Sequence, residues 1–456
     1  MDLGGRLIVS ATGLADDTVL SANSLSCLSN ILHLTKNYCK KYMVSLCPEK
    51  TRLLRITGNQ VTDLELFNPI TISGKNIQFS NQAEHVGIVR SIDGNTPNLL
   101  NRISSHKKAL GATLSVGLAR RQRSNPIVGM NIEKLYGTPV LISGLASLVM
   151  TGTDMEVVES HYKCTYQNIQ KLLPNTPRCV VFFLAGTLPI SATLDLRRLC
   201  LFGMISRLRG DPLNTHARRV LVQAKTSSKS WFLQLRDICL KYNLPHPLSL
   251  LDFPPSKKDF KKMTTSHVHD FWEQKLRGEA ALLPSLLYFS PQFMSLKTPH
   301  PLWTSARGNP YEVSKAIQQA RLLSGRYRTE YLCRHWSKNK GGYCLSPSCI
   351  NDLVPETVEH ILVDCGEYAQ LRVELISFWH KTSHPVIKSL ATQALVTSSN
   401  YLVQFLLDCS VLPQVILTTQ CYGAVIMEGL FHLTRTWCFS IHRLRMKRLG
   451  RWNIQN

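Results

Sequence analysis

The sequence predicts an α+β amino-terminal region with a partial antiparallel sheet. A mainly helical chain follows, with a small Cys/His-rich module near the carboxyl end. Three observations carry this prediction. Short apolar runs flank a Gly-containing acidic tip in Leu7–Ala22, which reads as a β-hairpin. From Asn98 onward apolar residues recur at helical spacing. Cys344, Cys349, His360 and Cys365 crowd into one segment.

Bulk composition narrows the function classes. Lys and Arg number 53 against 30 Asp and Glu, a formal charge of +23, so a polyanion is the natural partner. No run of about 18 apolar residues occurs, and no membrane span is expected. Met1-Asp2-Leu3-Gly4-Gly5 lacks the basic start of a secretory signal. The expected location is therefore intracellular, cytoplasmic or nuclear. The 14 cysteines then read as buried thiols or metal ligands rather than disulfides.

In chain order, the hairpin places Asp16 and Asp17 side by side at its turn. Adjacent carboxylates must be solvated, paired or bound to a cation. Ser24–Tyr42 has helical spacing, with Lys36, Lys40 and Lys41 toward the end where cations suit the helix dipole. Cys47–Thr51 runs into a Pro-Glu-Lys turn, and Asn81–Ile88 reads as a strand in which Gly87 permits a close approach of backbone. The helical stretch from Asn98 closes on Arg120, Arg121 and Arg123, and Leu194–Arg209 reads as an amphipathic basic helix. Pro174–Pro189 reads as irregular around a buried run, Arg218–Lys241 as helical, and Pro245–Pro255 as a linker. Lys257–Lys262 forms a basic knot, and Arg443, Arg445, Lys447, Arg448 and Arg451 close the chain as a basic tail.

Three thiolates and an imidazole make a closed tetrahedral set suited to structural zinc, with no open position for catalysis. Cys344 and Cys349 converge across a Pro347-Ser348 turn, and a helix starting at Val358 presents His360 and Cys365. Cys333 and His335 lie close enough in sequence to substitute as ligands. Asp16 and Asp17, read with Lys50, fit magnesium-assisted nucleotidyl transfer: carboxylates hold the ion and a lysine neutralises leaving phosphate.

Leu14-Ala15-Asp16-Asp17, then Cys47-Pro48-Glu49-Lys50-Thr51, then Ala83–Ile88 resemble the last three palm motifs of a reverse transcriptase. With basic helices and the Glu356–Cys365 segment, the chain resembles the carboxy-terminal part of non-LTR, LINE-type retrotransposon polymerases. The resemblance implies a partial palm over residues 1–95, a thumb-like helical region over 96–210, and a connecting region over 211–340. A zinc knuckle over 341–370 and a helical region with a basic tail over 371–456 complete it. Asp16 and Asp17 are then catalytic magnesium ligands, Lys50 the lysine near the triphosphate, and the Gly87 strand the primer grip. Arg120, Arg121 and Arg123 lie where a template–primer duplex passes, contacting phosphates without reading sequence.

The implied partners are an RNA template, a DNA primer or target duplex, and deoxynucleoside triphosphates. A residue other than tyrosine or phenylalanine, Leu14, precedes Ala15-Asp16-Asp17, and nothing upstream supplies fingers or the first palm aspartate. The chain by itself is therefore expected not to polymerise. The alternative is a non-catalytic zinc-containing protein that binds RNA or DNA, with Trp336 or Tyr343 stacking on bases.

Overall fold

The six described strands of the computed structural model pair as three separate two-stranded antiparallel hairpins, not as one sheet. The described residues are 11–14, 17–22, 24–54, 70–113, 124–223, 230–334, 341–381 and 384–450, with side chains from Thr18 onward. They divide into two compact units. One comprises Met1–Lys108, Thr138–Glu159 and Ile190–Val268, the other Ala109–Gly137, Ser160–Pro189 and His269–Asn456.

In the first unit β1 (Ala11–Leu14) pairs with β2 (Asp17–Leu20), with Leu14 opposite Asp17. Gly13 thus lies within a strand opposite Thr18, rather than at the tip. The helix Leu25–Lys41 follows, its first turn capped by the Ser24 hydroxyl, which accepts from the Cys27 N–H at 3.2 Å. Leu32 on this helix joins Ile72 and Ile77 in a small core, closed by Leu20, Leu46, Leu53 and Ile70. Ile72 and Ile77 sit on and beside the short hairpin of β3 (Thr71–Ile72) and β4 (Lys75–Asn76). Strands of two to four residues offer few ladder bonds, so each hairpin is held by local packing rather than by a shared sheet.

The third hairpin corrects the reading of Gly87. β5 (Gln82–His85) and β6 (Ile88–Ser91) are joined by Val86 and Gly87, both at positive φ (52° and 70°). That is a two-residue turn of the kind that matches strand twist. Gly87 is at a turn rather than within a strand, and its left-handed φ selects glycine there. The position a Cβ would take lies at ordinary contact distance, 3.4 Å, from the Arg102 guanidinium.

Helices account for most of the remainder, and several differ from the sequence expectation. Pro174–Pro189 contains the helix Arg178–Ala185, buried from Cys179 to Ala185. Buried on every side, it shows no amphipathic period by which a helix could be recognised. The Pro245–Pro255 stretch contains the helix Pro247–Asp252, with proline at its first position and Leu250 and Leu251 in the core. The described residues of Arg218–Lys241 fall mainly on two helices, Pro212–Gln223 and Trp231–Lys241.

Leu194–Arg209 falls mainly within the helix Ile190–Arg207, which is a core helix and not a basic amphipathic one. Arg198 is buried there, donating to the Leu148 carbonyl at 3.0 Å. Asp195 on the same helix accepts from Lys241 at 2.8 Å and Tyr242 at 2.7 Å. Lys257, Lys258, Lys261 and Lys262 are exposed on the opening turns of the helix Lys257–Ala281, while Phe260 between them is buried. No single described helix is long and apolar enough to cross a membrane.

In the second unit Pro310–Leu323 packs against the long helix Ala424–Arg448. Glu312 is their polar junction, accepting from Lys315 at 2.8 Å, His432 at 3.1 Å and Arg435. Burial opposes the charge on Glu312, but the hydrogen bonds from His432 and Lys315 and the charges of Arg435 and Lys315 hold its carboxyl well below the usual carboxylate range.

Candidate metal centre

Two local devices build the site. Cys344 enters on an extended segment whose N–H donates to the Val354 carbonyl at 2.8 Å, while the Glu356 N–H returns to Gly342 at 3.0 Å. Between them Cys349 sits in a tight turn, its N–H bonded to the Ser346 carbonyl at 2.9 Å. The second device is a helix opened by Thr357, whose hydroxyl accepts from the His360 N–H at 3.2 Å.

That helix widens at once. His360–Asp364 forms a π turn, and the Cys365 N–H bonds to the His360 carbonyl at 2.7 Å. In a regular α-helix residues five apart diverge by about 140° around the axis. The wider turn brings both side chains to one side, a common use of π bulges at functional sites.

Cys344, Cys349, His360 and Cys365 are all buried, and their ligand atoms lie within 4.8 Å of one another. The Cys365 sulfur is 3.8 Å from each of the Cys344 and Cys349 sulfurs. Two sulfurs about 2.3 Å from a tetrahedral zinc lie about 3.8 Å apart. The His360 Nε2 is buried with no hydrogen-bond partner among the described residues, the state expected of a nitrogen reserved for a metal. This group fits a metal ion such as zinc, held by four protein ligands and serving structure.

Charge in the site follows the same geometry. Burial pushes the Cys365 thiol up to about 12 and also raises Cys344. Burial acts on Cys349 in the same sense, but hydrogen bonds from the Ser348 hydroxyl and the Gly366 N–H bring it below the usual thiol range. Backbone N–H groups of Ser346 and Glu367 serve Cys344 and Cys365 likewise. Burial also lowers His360, favouring the neutral ring that a metal requires.

The supports of the site were not legible as such in sequence. Glu356, wholly buried, accepts from Arg445 at 2.7 and 3.1 Å, from Arg448 at 3.3 Å, and from the Glu330 N–H at 2.7 Å. Arg445 is itself fully buried and Arg448 half-buried on the helix Ala424–Arg448, so of the expected basic tail only Arg443 and Lys447 are exposed among the described residues. Trp437 on that helix donates to the Leu362 carbonyl at 3.2 Å, and Arg372 donates to the Cys365 carbonyl at 2.8 Å. Two arginines and an indole thus hold the module against its supporting helix.

His442 sits one turn before Arg445 and receives the Tyr327 hydroxyl at Nδ1, 2.7 Å. Burial, then the charges of Arg321 and Arg445, push His442 down to about 4. The unfolded chain restores an ordinary value of about 6.5. Because the folded value is depressed, this stability is complete above about pH 6.5 and is lost as pH falls toward 4. The expected loss is about 3 kcal/mol. Urea midpoints at pH 7 and pH 4.5 should show this loss in the parent and a smaller one in His442→Asn; equal losses would remove His442 as the cause.

The other expected site residues are placed as follows. Asp16 and the Asp17 side chain lie outside the described residues, while the Asp17 backbone opens β2. Lys50 is exposed in the turn after Pro48. Gly87 occupies its hairpin turn, and Arg120, Arg121 and Arg123 lie outside the described residues. Cys333 is half-buried outside the four-ligand group, and His335 lies outside the described residues. Comparison with protein-family models, with curated proteins and with solved structures finds no match for this chain.

Proposed function

We propose that this chain is the carboxy-terminal part of a non-LTR retrotransposon reverse transcriptase, in which it binds nucleic acid through basic surface and a zinc knuckle. The observation that carries the reading is the buried Cys-Cys-His-Cys set, two of whose members, His360 and Cys365, lie on the Glu356–Cys365 segment where the family resemblance is most specific. The net charge of +23 and the exposed lysines at 257, 258, 261 and 262 support a polyanionic partner.

On this reading the parent reaction is RNA-templated DNA synthesis from deoxynucleoside triphosphates. Magnesium is held at Asp16 and Asp17, with Lys50 near the triphosphate, Gly87 at the primer grip, and Arg120, Arg121 and Arg123 along the duplex. The compartment is intracellular, where thiolates stay reduced for zinc. The 456-residue chain alone binds RNA and DNA without extending a primer. The second reading is a non-catalytic zinc-containing RNA- or DNA-binding protein derived from such an element; the closed four-ligand set, which leaves no coordination position for chemistry, has the same structural role in both.

Titrating the chain with an RNA hairpin and a DNA duplex tests both readings. Affinity should fall by on the order of 10³ between about 50 and 200 mM salt if six or more phosphates are contacted, and it should fall again on zinc chelation. Affinity indifferent to both treatments would sink nucleic-acid binding. Primer extension abolished by Asp16→Ala would sink the claim that this chain is inactive alone.

A further inference from the structure

The segment that delivers Cys344 to the metal presents a second, outward face. Tyr343 and Pro355 are directly opposed across an antiparallel bridge. Side chains alternate along an extended strand, so with Cys344 buried, Tyr343 and Leu345 point the other way. Tyr343 is 40% exposed, Leu345 51%, Ile350 47% and Leu353 59%. Four large apolar side chains on one turn of about ten residues make an unusually apolar surface for so small a module. Leu353 also holds φ at 50°, a left-handed conformation costly for a branched side chain. Neither core packing nor turn geometry asks for leucine there.

One edge of this face carries an arginine. Arg334 is exposed, and its guanidinium lies 3.8 Å over the Tyr331 ring. Gly342 admits it: the Cβ of any other residue would come within 2.8 Å of the Arg334 Cδ. Arg328 is exposed before it in sequence; the acids here are Asp352, exposed on the turn itself, and the exposed Glu367, whose carboxylate accepts from the Ser346 hydroxyl at 3.0 Å. Glu356 is withdrawn from the surface by Arg445 and Arg448. An apolar and aromatic face beside a fixed arginine suits a ligand that is a flat ring on an anionic backbone.

We propose that Tyr343, Leu345, Ile350 and Leu353 form a platform on which an unpaired nucleic-acid base stacks, with Arg334 contacting the adjoining phosphate. The proposal rests on the nucleic-acid reading above and deepens it. The knuckle engages single strands, whereas other basic surface engages duplex. Stacking needs the open face of a base, which a duplex hides, so the platform discriminates by strandedness and not by sequence.

The test compares the parent with Leu345→Ser/Leu353→Gly and with Arg334→Ala, using labelled oligo(dT), oligo(U) and a blunt DNA duplex. Glycine at 353 fits the positive φ, and zinc content confirms that the module is intact. The double variant should bind both single strands about tenfold more weakly at an unchanged salt slope, with duplex affinity unaltered. Arg334→Ala should lower the single-strand salt slope by about one. Unchanged single-strand affinity in a parent that binds both forms overturns the platform alone. If that unchanged affinity comes with loss of self-association, the face is a protein contact and the platform is equally overturned. A parent that binds neither form overturns the platform together with the nucleic-acid reading.

Discussion

Cys365→Ser leaves the chain unable to retain zinc: dialysis against a weak chelator should reduce bound metal from one equivalent per chain to none. Cys365 is the hinge of the ligand set, 3.8 Å from both other sulfurs and, through its N–H, 2.7 Å from the His360 carbonyl. Structural zinc contributes about 10–16 kcal/mol of apparent binding free energy in small knuckles, so one missing thiolate removes more than the remaining three ligands can compensate. The loss should spread. Leu362, whose carbonyl receives the Trp437 indole, belongs to the same π turn, so tryptophan emission should shift to the red as the metal leaves. Metal analysis showing one zinc still bound in Cys365→Ser would overturn the assignment of this ligand. Because zinc displaces thiol protons, parent affinity should also rise with pH across the neutral range.

Glu356→Ala should cost about 3–5 kcal/mol of unfolding free energy in the second unit, the largest single effect expected away from the ligands. Arg445 is fully buried, and the carboxylate that compensates its charge lies between Cys349 and His360 in sequence. Removing Glu356 leaves that guanidinium without its anion in a place where water cannot replace it. It also frees the Glu330 N–H and releases Arg448. Adding Arg445→Met to Glu356→Ala should recover much of the loss, because the buried charge disappears along with its partner. Urea denaturation of the parent, both single variants and the double variant gives the coupling directly. A Glu356→Ala chain within about 0.5 kcal/mol of the parent would show that the pair does not hold the module.

Elements of both units differ in how much their sequence revealed. The hairpin, the helix after Ser24 and the Cys/His group were legible because each is written within a short stretch of chain. The buried helices at Arg178–Ala185 and Pro247–Asp252 were not. The first has no polar face to mark its period, and the second begins on proline in a proline-rich stretch, the usual mark of a linker. Arg198, Arg445 and Arg448 illustrate the opposite error. In sequence they count toward a basic surface, yet Arg198 and Arg445 are core residues and Arg448 pairs with a buried carboxylate.

By itself the sequence determined the hairpin, the helical character of most of the chain and the Cys/His segment that carries the candidate metal group. Those features follow from periodicity, turn residues and Cys/His spacing, all short-range along the chain. Tertiary structure alone decided that a carboxylate inside the Cys/His module meets two arginines of the helix Ala424–Arg448. It also decided that the hairpins stay separate and that the outward face of the Cys344 segment is left apolar. Burial and long-range charge pairing depend on which elements are neighbours in space, and no local spacing encodes a partner 89 residues away.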